Sequence, residues 1–281
     1  MWYTVPTNLT RKEMIFVPWG TFTPQHIATL LLSAALIVGL HFLLRKLPQK
    51  QQTAILFVLS FAGIAAIVFN LLMWDSPIEY LPLHMCSINA ILLPLTVLSR
   101  NRVLGSLTLL WCLGAALALI ANTGQADFVI PSGAFFFYYI PHTLEVAVPV
   151  LLFTTGLIRF DFRTTPHTVA ITMAIYTVVH FANRFLNRYA AENGILDWQG
   201  EIAELNYMFS LSPEGNPLLE LFWEIIPYPY WYMYGAIPLV VVYLGLIWAI
   251  TRCAARMKAG KRGIGVGGSE VISAEHNGGV L

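Results

Sequence analysis

The sequence predicts an all-α membrane protein, a polytopic bundle of seven transmembrane helices with the amino terminus outside and the carboxyl terminus in the cytoplasm. Three observations point to this class. Of the 281 residues, 57% are hydrophobic and only 11% are charged, whereas about a quarter of the residues of a soluble domain are charged. Seven apolar stretches of about the 20 residues that a spanning helix needs contain at most one charged residue each. Lys and Arg are more numerous in every second segment that connects these stretches.

The predicted helices follow these apolar stretches in chain order. They cover residues 25–44, 54–73, 81–98, 103–121, 134–158, 166–186 and 229–251. The third and fourth are short and are joined by Ser99-Arg100-Asn101-Arg102, so they are interpreted as a helical hairpin.

Orientation is predicted from the loops, because loops rich in Lys and Arg stay in the cytoplasm. Twelve of the 16 positive residues fall on one side: Arg45, Lys46, Lys50, Arg100, Arg102, Arg159, Arg163, Arg252, Arg256, Lys258, Lys261 and Arg262. The other side has Arg11, Lys12, Arg184 and Arg188. The sequence therefore predicts a multi-pass protein of the cell membrane with its amino terminus outside.

Three regions follow from this topology. Residues 1–24 form an external segment, and residues 25–251 form the membrane domain, which includes a long external loop at 187–228. Residues 252–281 form a basic segment that continues, from Gly260 onwards, as a polar, Gly-rich cytoplasmic tail expected to be disordered.

The external loop contains a predicted helix. Asn216 is a suitable cap and Pro217 a suitable first residue. Apolar residues then line one face and acidic residues another: Leu218, Leu221, Phe222 and Ile225 against Glu220 and Glu224. The helix either lies in the membrane interface or packs on the bundle. The nearby aromatic residues are interpreted as an interfacial anchor: Trp223, Tyr228, Tyr230, Trp231, Tyr232 and Tyr234.

Composition excludes several functions. A net charge of +1 provides no basic field for nucleic acid, so the expected partners are membrane lipids, while the oligomeric state stays open. The cysteines, Cys86, Cys112 and Cys253, are three in number and lie far apart, which is not typical of a disulfide framework or a zinc finger. No cofactor and no metal are expected.

Polar side chains inside the predicted spans are costly in hydrocarbon and are candidates for function. With about 1.5 Å of rise per residue, eight of them fall in the outer half of four spans: Asn70, His84, Cys86, Asn89, His142, Glu145, His180 and Asn183. Eight polar side chains at a similar depth in four spans predict a cavity that opens towards the outer leaflet. The alternative is random scatter of polar residues.

Helical spacing groups these residues, because positions three or four apart share a face. His142 and Glu145 form one such pair, which is interpreted either as a base with its orienting carboxylate or as two polar residues that satisfy each other. Cys86 and Asn89 form another pair. A free cysteine often serves only for packing, but a histidine at similar depth can generate the nucleophilic thiolate of Cys86. His180 and Asn183 also share a face.

A group of short motifs resembles a known family. The segment Leu81-Pro82-Leu83-His84-Met85-Cys86-Ser87 is followed by a short positive turn, a Gly-rich fourth span, His142 in the fifth span and Asn206-Tyr207-Met208 after the sixth. Over roughly residues 50–250 this pattern is similar to the YwaF family of bacterial membrane proteins, which is related to eukaryotic transmembrane protein 164, an acyltransferase acting on ether phospholipids. The resemblance implies a cysteine-histidine acyl-transfer centre at Cys86 and His142.

The resulting hypothesis is a membrane lipid acyltransferase that carries a fatty acyl chain on Cys86. His142 is the expected base and Glu145 its orienter. Asn89 or His84 is expected to donate to the oxyanion, and Asn70, His180 and Asn183 to contact substrate. Two rivals are a seven-span zinc hydrolase of the ceramidase type, with His84, His142, His180 and Glu145 as ligands, and a non-enzymatic carrier or receptor.

Overall fold

The fold is helical throughout most of its length. The structure is a computed structural model, and it describes residues 17–73, 76–121, 125–197 and 199–270. Within these ranges the α-helices are α1 Pro24–Leu44, α2 Gln49–Leu59, α3 Ala62–Met73, α4 Met85–Ser99, α5 Arg102–Ala121, α6 Gly133–Thr154, α7 Thr165–Asn193, α8 Pro217–Ile225 and α9 Ile237–Glu270. Two short strands, β1 Val17–Pro18 and β2 Val129–Ile130, pair antiparallel. The all-α class is therefore confirmed.

Among the described residues, six helical segments are long and apolar enough to cross a membrane. They are Pro24–Leu44, Gln49–Met73, Arg102–Ala121, Gly133–Thr154, Phe162–Asn193 and Trp231–Cys253. Each overlaps one of the predicted spans. The second segment consists of α2 and α3, which meet at Ser60 and Phe61. The protein is therefore a membrane protein with several spanning helices.

The third predicted span differs from the others. Helix α4 has 15 residues, or about 22 Å at 1.5 Å per residue, which is less than the roughly 30 Å of a bilayer core. Residues 81–84, which the sequence places in the span, form a turn before the helix. The helix therefore begins at Met85, and Cys86 lies in its first turn.

Local sequence explains where the helices begin and end. The side chains of Thr23, Asn101, Ser132 and Asn216 each accept a hydrogen bond from a backbone N–H in the first turn of the helix that follows, and so satisfy donors that have no partner within the helix. Helix α7 ends at Gly194, whose φ of 61° is a left-handed conformation that glycine adopts without steric cost.

The described residues form two compact units. The first comprises those of Met1–Leu98 and Trp111–Thr155, and the second comprises those of Ser99–Leu110 and Gly156–Leu281. The boundary between the units falls within α5, so this helix contributes residues to both. Each unit has its own buried side chains.

The first unit is held together by polar as well as apolar contacts. Trp19 is fully buried and packs with Phe135 and Tyr139. His26 is also fully buried, and its Nδ1 accepts from the N–H of Phe22 while its Nε2 donates to the carbonyl of Leu119, at 2.8 Å each. Both ring nitrogens are thus satisfied, which makes His26 a structural residue.

Close approach of α3 to its neighbours depends on Gly63. A Cβ atom at this position would contact the Cβ of Ala90 in α4 and would lie 3.0 Å from Oε1 of Glu145 in α6. Elsewhere in the contact between α3 and α6, the rings of Phe69 and Phe137 stack with centroids 4.0 Å apart. Helices α3 and α6 therefore pack tightly around the Glu145 carboxyl.

The second unit contains α7, α8 and α9 and the loops that join them. The start of α5 belongs to this unit and is held by two contacts: Ser106 hydrogen-bonds to Thr164 at 2.7 Å, and the hydroxyl of Tyr243 donates to the carbonyl of Leu109 at 3.2 Å. Helix α8 packs on a 3-10 helix at Trp231–Ala236 through Leu219 and Phe222.

The predicted loop helix is present as α8, and Asn216 caps it through bonds from the N–H groups of Leu218 and Leu219. Its apolar side chains divide between two directions. Leu219 and Phe222 are buried, whereas Leu218, Leu221 and Ile225 are exposed. The helix thus packs on its unit and also presents an apolar surface, so it combines features of both interpretations.

The chain after the last span is helical further than the sequence indicates. Helix α9 continues from Ile237 to Glu270, past Gly260, where a disordered tail is predicted to begin. The remaining part of that predicted tail, 271–281, and most of the predicted external segment 1–24, residues 1–16, lie outside the described residues.

Replacing Gly63 by Ala should lower the thermal stability of the detergent-purified protein. The added methyl group overpacks the contact with Ala90 and Glu145, and overpacking costs about 1–3 kcal/mol. The control is Gly39→Ala, also within a helix, where a Cβ meets nothing within 4 Å. This control should be neutral or slightly stabilising, because Ala favours helix over Gly. Equal unfolding midpoints for the two variants would contradict the packing described for α3.

Candidate functional site

Cys86 lies in the first turn of α4 and is partly accessible. Its sulfur is within hydrogen-bonding reach of the N–H of Ser87 and of the Ser87 side chain. Backbone N–H groups at the start of a helix point outwards without helical partners and favour negative charge. These groups favour negative charge at the sulfur, whereas burial and the neighbouring Glu145 carboxyl oppose it.

Glu145 is the acidic neighbour of this thiol. Its carboxyl group and the Cys86 sulfur are close enough to interact electrostatically, and both interact with the hydroxyl group of Tyr138. The Glu145 side chain is 4% exposed, and its Oε2 has no hydrogen-bond partner among the described residues. A buried polar atom without a partner costs free energy, so this oxygen is available to a donor from outside the protein.

Asn89 shows the same property one turn after Cys86. It is fully buried, and within the described ranges neither its amide oxygen nor its amide nitrogen has a hydrogen-bond partner. Since positions i and i+3 share a helix face, Asn89 lies on the Cys86 side of α4, as the sequence predicts. In the described part of the chain, Asn89 and Glu145 thus have unpartnered buried polar atoms near the partly accessible Cys86, and Gln52 and Glu79 are further residues of the first unit with such an atom.

His142 is also partly accessible, and a backbone carbonyl binds its ring. Its Nδ1 donates to the backbone carbonyl of Tyr138 at 2.7 Å, and the two rings lie 4.3 Å apart. A carbonyl one turn earlier in the helix thus orients the ring through Nδ1, and the role of Glu145 as its orienter stays a prediction. The tautomer that donates from Nδ1 leaves Nε2 as a proton acceptor.

Tyr138 is the residue that sequence reasoning missed. Its carbonyl binds His142, and its hydroxyl donates to the carbonyl of Ala118 at 3.0 Å. The same hydroxyl lies within electrostatic range of Cys86 and Glu145. The signal was its position four residues before His142. That spacing is also common between residues that only pack, so it did not distinguish Tyr138 from its aromatic neighbours.

His84 and Asn70 are the other two candidate residues of the first unit, and their positions do not indicate a specific role. His84 precedes α4 in the turn, is partly buried, and its carbonyl accepts from the N–H of Ile88 at 3.0 Å. Asn70 lies near the end of α3 and is partly buried. Both make further interactions, so neither is a free polar group.

His180 and Asn183 belong to the second unit, where both bind the loop that follows α7. Asn183 is fully buried; it donates to the carbonyl of Tyr207 and the hydroxyl of Ser210, both at 2.8 Å, and accepts from the N–H of Tyr207 at 3.0 Å. His180 Nδ1 contacts the hydroxyl of Ser210 at 3.2 Å. The Asn183 side chain is fully used for structure, and His180 keeps one ring nitrogen beyond these bonds.

A zinc site is the alternative that the candidate residues raise. Among the residues that the structure describes, no group of three or more His, Cys, Asp or Glu side chains is arranged to hold a metal ion. The groups of the first unit that could take part in a reaction are instead a thiol, a neutral imidazole nitrogen and two buried hydrogen-bonding side chains. This combination suits nucleophilic chemistry on a carbonyl group.

Asn183→Asp should destabilise the second unit. The substitution keeps the size of the side chain but removes the N–H donors to Tyr207 and Ser210 and adds a buried charge, for an expected cost of about 2–4 kcal/mol. Asn193→Asp, at an exposed position on the same helix, is the matched control and should change the melting temperature little. If Asn183→Asp melted like this control, Asn183 would not hold the loop.

Comparison with known proteins gives one result. Neither the curated proteins nor the solved structures include a match to this chain. The model of the TMEM164 family matches residues 21–248, which is most of the chain and includes every residue of the candidate site. The relationship to transmembrane protein 164 that the sequence motifs predict is thereby confirmed at the level of the family. The chain belongs to the TMEM164 family.

Proposed function

We propose that this protein is a membrane-embedded acyltransferase that moves a fatty acyl chain of a phospholipid through a thioester on Cys86. The observation that carries the proposal is the partly accessible thiol at the start of α4, beside buried side chains of Asn89 and Glu145 that have unpartnered polar atoms. The carbonyl oxygen of an ester can accept from the Asn89 amide, and the hydroxyl of an acceptor lipid can donate to Glu145. Membership of the TMEM164 family supports a lipid as substrate.

In the first half-reaction, His142 accepts the Cys86 proton at Nε2, and the thiolate attacks the ester carbonyl carbon of the donor lipid. The carbonyl oxygen becomes negative and receives hydrogen bonds from the amide of Asn89 and from the N–H groups at the start of α4. The carbon–oxygen ester bond then breaks. His142 returns its proton to the leaving alkoxide, and a lysolipid departs from the acyl-cysteine.

In the second half-reaction, a hydroxyl group of the acceptor lipid attacks the thioester. His142 takes the proton of that hydroxyl, the carbon–sulfur bond breaks, and the proton passes to the departing sulfur. Because Oε2 of Glu145 is buried and unpartnered among the described residues, we assign it to accept a hydrogen bond from the incoming hydroxyl. Glu145 thus positions the acceptor.

We also propose that α4 crosses the membrane as a seventh span, with the preceding 3-10 helix Pro77–Tyr80 and the turn at 81–84 extending its length. The distribution of Lys and Arg supports this arrangement, because it puts the turn at 99–101 on the same side as the other positive loops. The amino terminus is then outside, the carboxyl terminus is cytoplasmic, and Cys86 faces the outer leaflet of the cell membrane.

Topology reporters test this arrangement. A reporter inserted at Asn101 or after Gly260 should be cytoplasmic, and one at Glu192 should be external. An external reporter after Gly260 would invert the protein and move the site to the inner leaflet. An external reporter at Asn101 would show that α4 does not cross.

Cys86→Ser should reduce acyl transfer from a labelled diacyl phospholipid to a lysophospholipid by roughly 10²-fold or more, because a serine hydroxyl is far less ionised than a thiol. His142→Gln removes the base and should cause a similar loss. The double variant should be scarcely worse than either single one, since the two residues act as a unit. Cys112→Ser, at a buried cysteine in α5, is the control and should stay near wild type.

Two outcomes would contradict the cysteine mechanism. One is near-native activity of Cys86→Ser, and the other is multiplication of the two single losses in the double variant. The rivals have their own signatures. One zinc per chain, lost on replacing His84 or His142, would identify a hydrolase. Lipid binding without any hydroxylamine-sensitive acyl adduct on Cys86, and without turnover, would identify a carrier or receptor.

A further inference from the structure

The second unit contains a cleft that the acyl-transfer centre does not use. Its volume is about 620 Å³, within the range of small-molecule sites. Polar and aromatic side chains from α7 and from the loop before the last span line it, among them Thr177, His180, Phe181, Arg184, Tyr230 and Trp231. All of these residues lie in the second unit, so the cleft is described without reference to Cys86.

The charge of the cleft is positive. Arg184 is the one cation among its lining residues, and no Asp or Glu lines it. Within the part of the chain that the structure describes, Arg184 makes no ion pair, whereas Arg188, one turn further along α7, binds Glu192 at 2.7 Å. Arg184 is also close enough to His180 to interact with it electrostatically. A guanidinium group without a carboxylate partner is suited to an oxyanion.

Tyr230, which also lines the cleft, is held in place by several contacts. Its hydroxyl hydrogen-bonds to Thr177 at 2.7 Å, its N–H donates to the carbonyl of Ser210 at 2.8 Å, and its ring stacks on Tyr176 with centroids 5.3 Å apart. Tyr230 has a φ of 67°, which is costly for a residue with a Cβ and persists only where surrounding contacts impose it. The cleft is therefore preorganised.

The rim is apolar and aromatic. Phe181 is 63% exposed and Trp231 is 57% exposed, and both flank the cation. Helix α7 lies within an apolar segment of spanning length, Phe162–Asn193, and Trp231 begins the last one. Trp and Tyr at span ends are typical of the head-group layer, where phosphate groups are concentrated.

We infer that this cleft binds a phosphate group, with Arg184 contacting the phosphate oxygens and Phe181 and Trp231 contacting the apolar part of the same molecule. A phospholipid head group and a phosphate ester from solution share this chemistry. The inference goes beyond the proposed acyl transfer and does not depend on it, because none of the residues involved belongs to the Cys86 centre.

Native mass spectrometry of the full-length detergent-purified protein with phosphatidylglycerol tests the site. Arg184→Gln should weaken lipid binding about tenfold, the effect of losing a charge-assisted hydrogen bond. Arg184→Lys keeps the charge but loses the planar fork, and should fall between Arg184→Gln and wild type. Arg188→Gln is the matched control on the same helix, and should bind within about twofold of wild type. Diacylglycerol, which lacks phosphate, should bind equally weakly to all four proteins.

Excess inorganic phosphate distinguishes the two sources. If it displaces the lipid from wild type, the site accepts phosphate from solution, and if it does not, the site requires the lipid. Both results support a phosphate site. Equal lipid binding by wild type and Arg184→Gln, or equal losses in the Arg184 and Arg188 variants, would overturn the inference. Because Arg184 is exposed, its variants are expected to fold, and an unchanged melting temperature verifies this.

Discussion

The requirement that buried polar groups find partners governs this structure, because hydrocarbon offers none and each unpaired group costs free energy. Helices satisfy the backbone, and hydroxyl groups bond back to carbonyls one turn earlier, as Thr96 and Thr172 do. Fully buried His26 satisfies both ring nitrogens. Against this background, the described residues with an unpartnered buried polar atom are exceptions: Gln52, Glu79, Asn89, Glu145 and Thr165. The proposed substrate accounts for those of Asn89 and Glu145.

The packing of the first unit creates that exception. Gly63 removes the side chain that would otherwise separate α3 from α4 and α6, and the Glu145 carboxyl is consequently enclosed. The late start of α4 has the complementary effect, because it leaves the Cys86 sulfur at the open end of a helix and near the N–H of Ser87. The enclosed Glu145 carboxyl and the half-buried Cys86 thus lie within electrostatic range of each other.

In the second unit, buried polar groups that are paired with one another fix the loop that supports the cleft. Asn183 and Asn187 satisfy both donors and acceptors of the backbone at Leu205 and Tyr207, and this fixes the loop after α7. The fixed loop supports Tyr230 and hence the cleft. Helix α8 leaves Leu218, Leu221 and Ile225 exposed, which is the pattern of a helix that contacts a membrane interface.

The sequence by itself determined the helical class, six of the apolar segments, the Asn216 cap and the family, because these depend on composition, periodicity and local motifs within one stretch of chain. It also placed Asn89 on the Cys86 face. Only the tertiary structure showed that His142 binds the carbonyl of Tyr138 and that Glu145 lies near Cys86. It also showed that the Tyr138 hydroxyl binds the carbonyl of Ala118. Helical spacing states which residues share a face but not which way a side chain turns, and contacts between helices depend on packing that no single segment encodes.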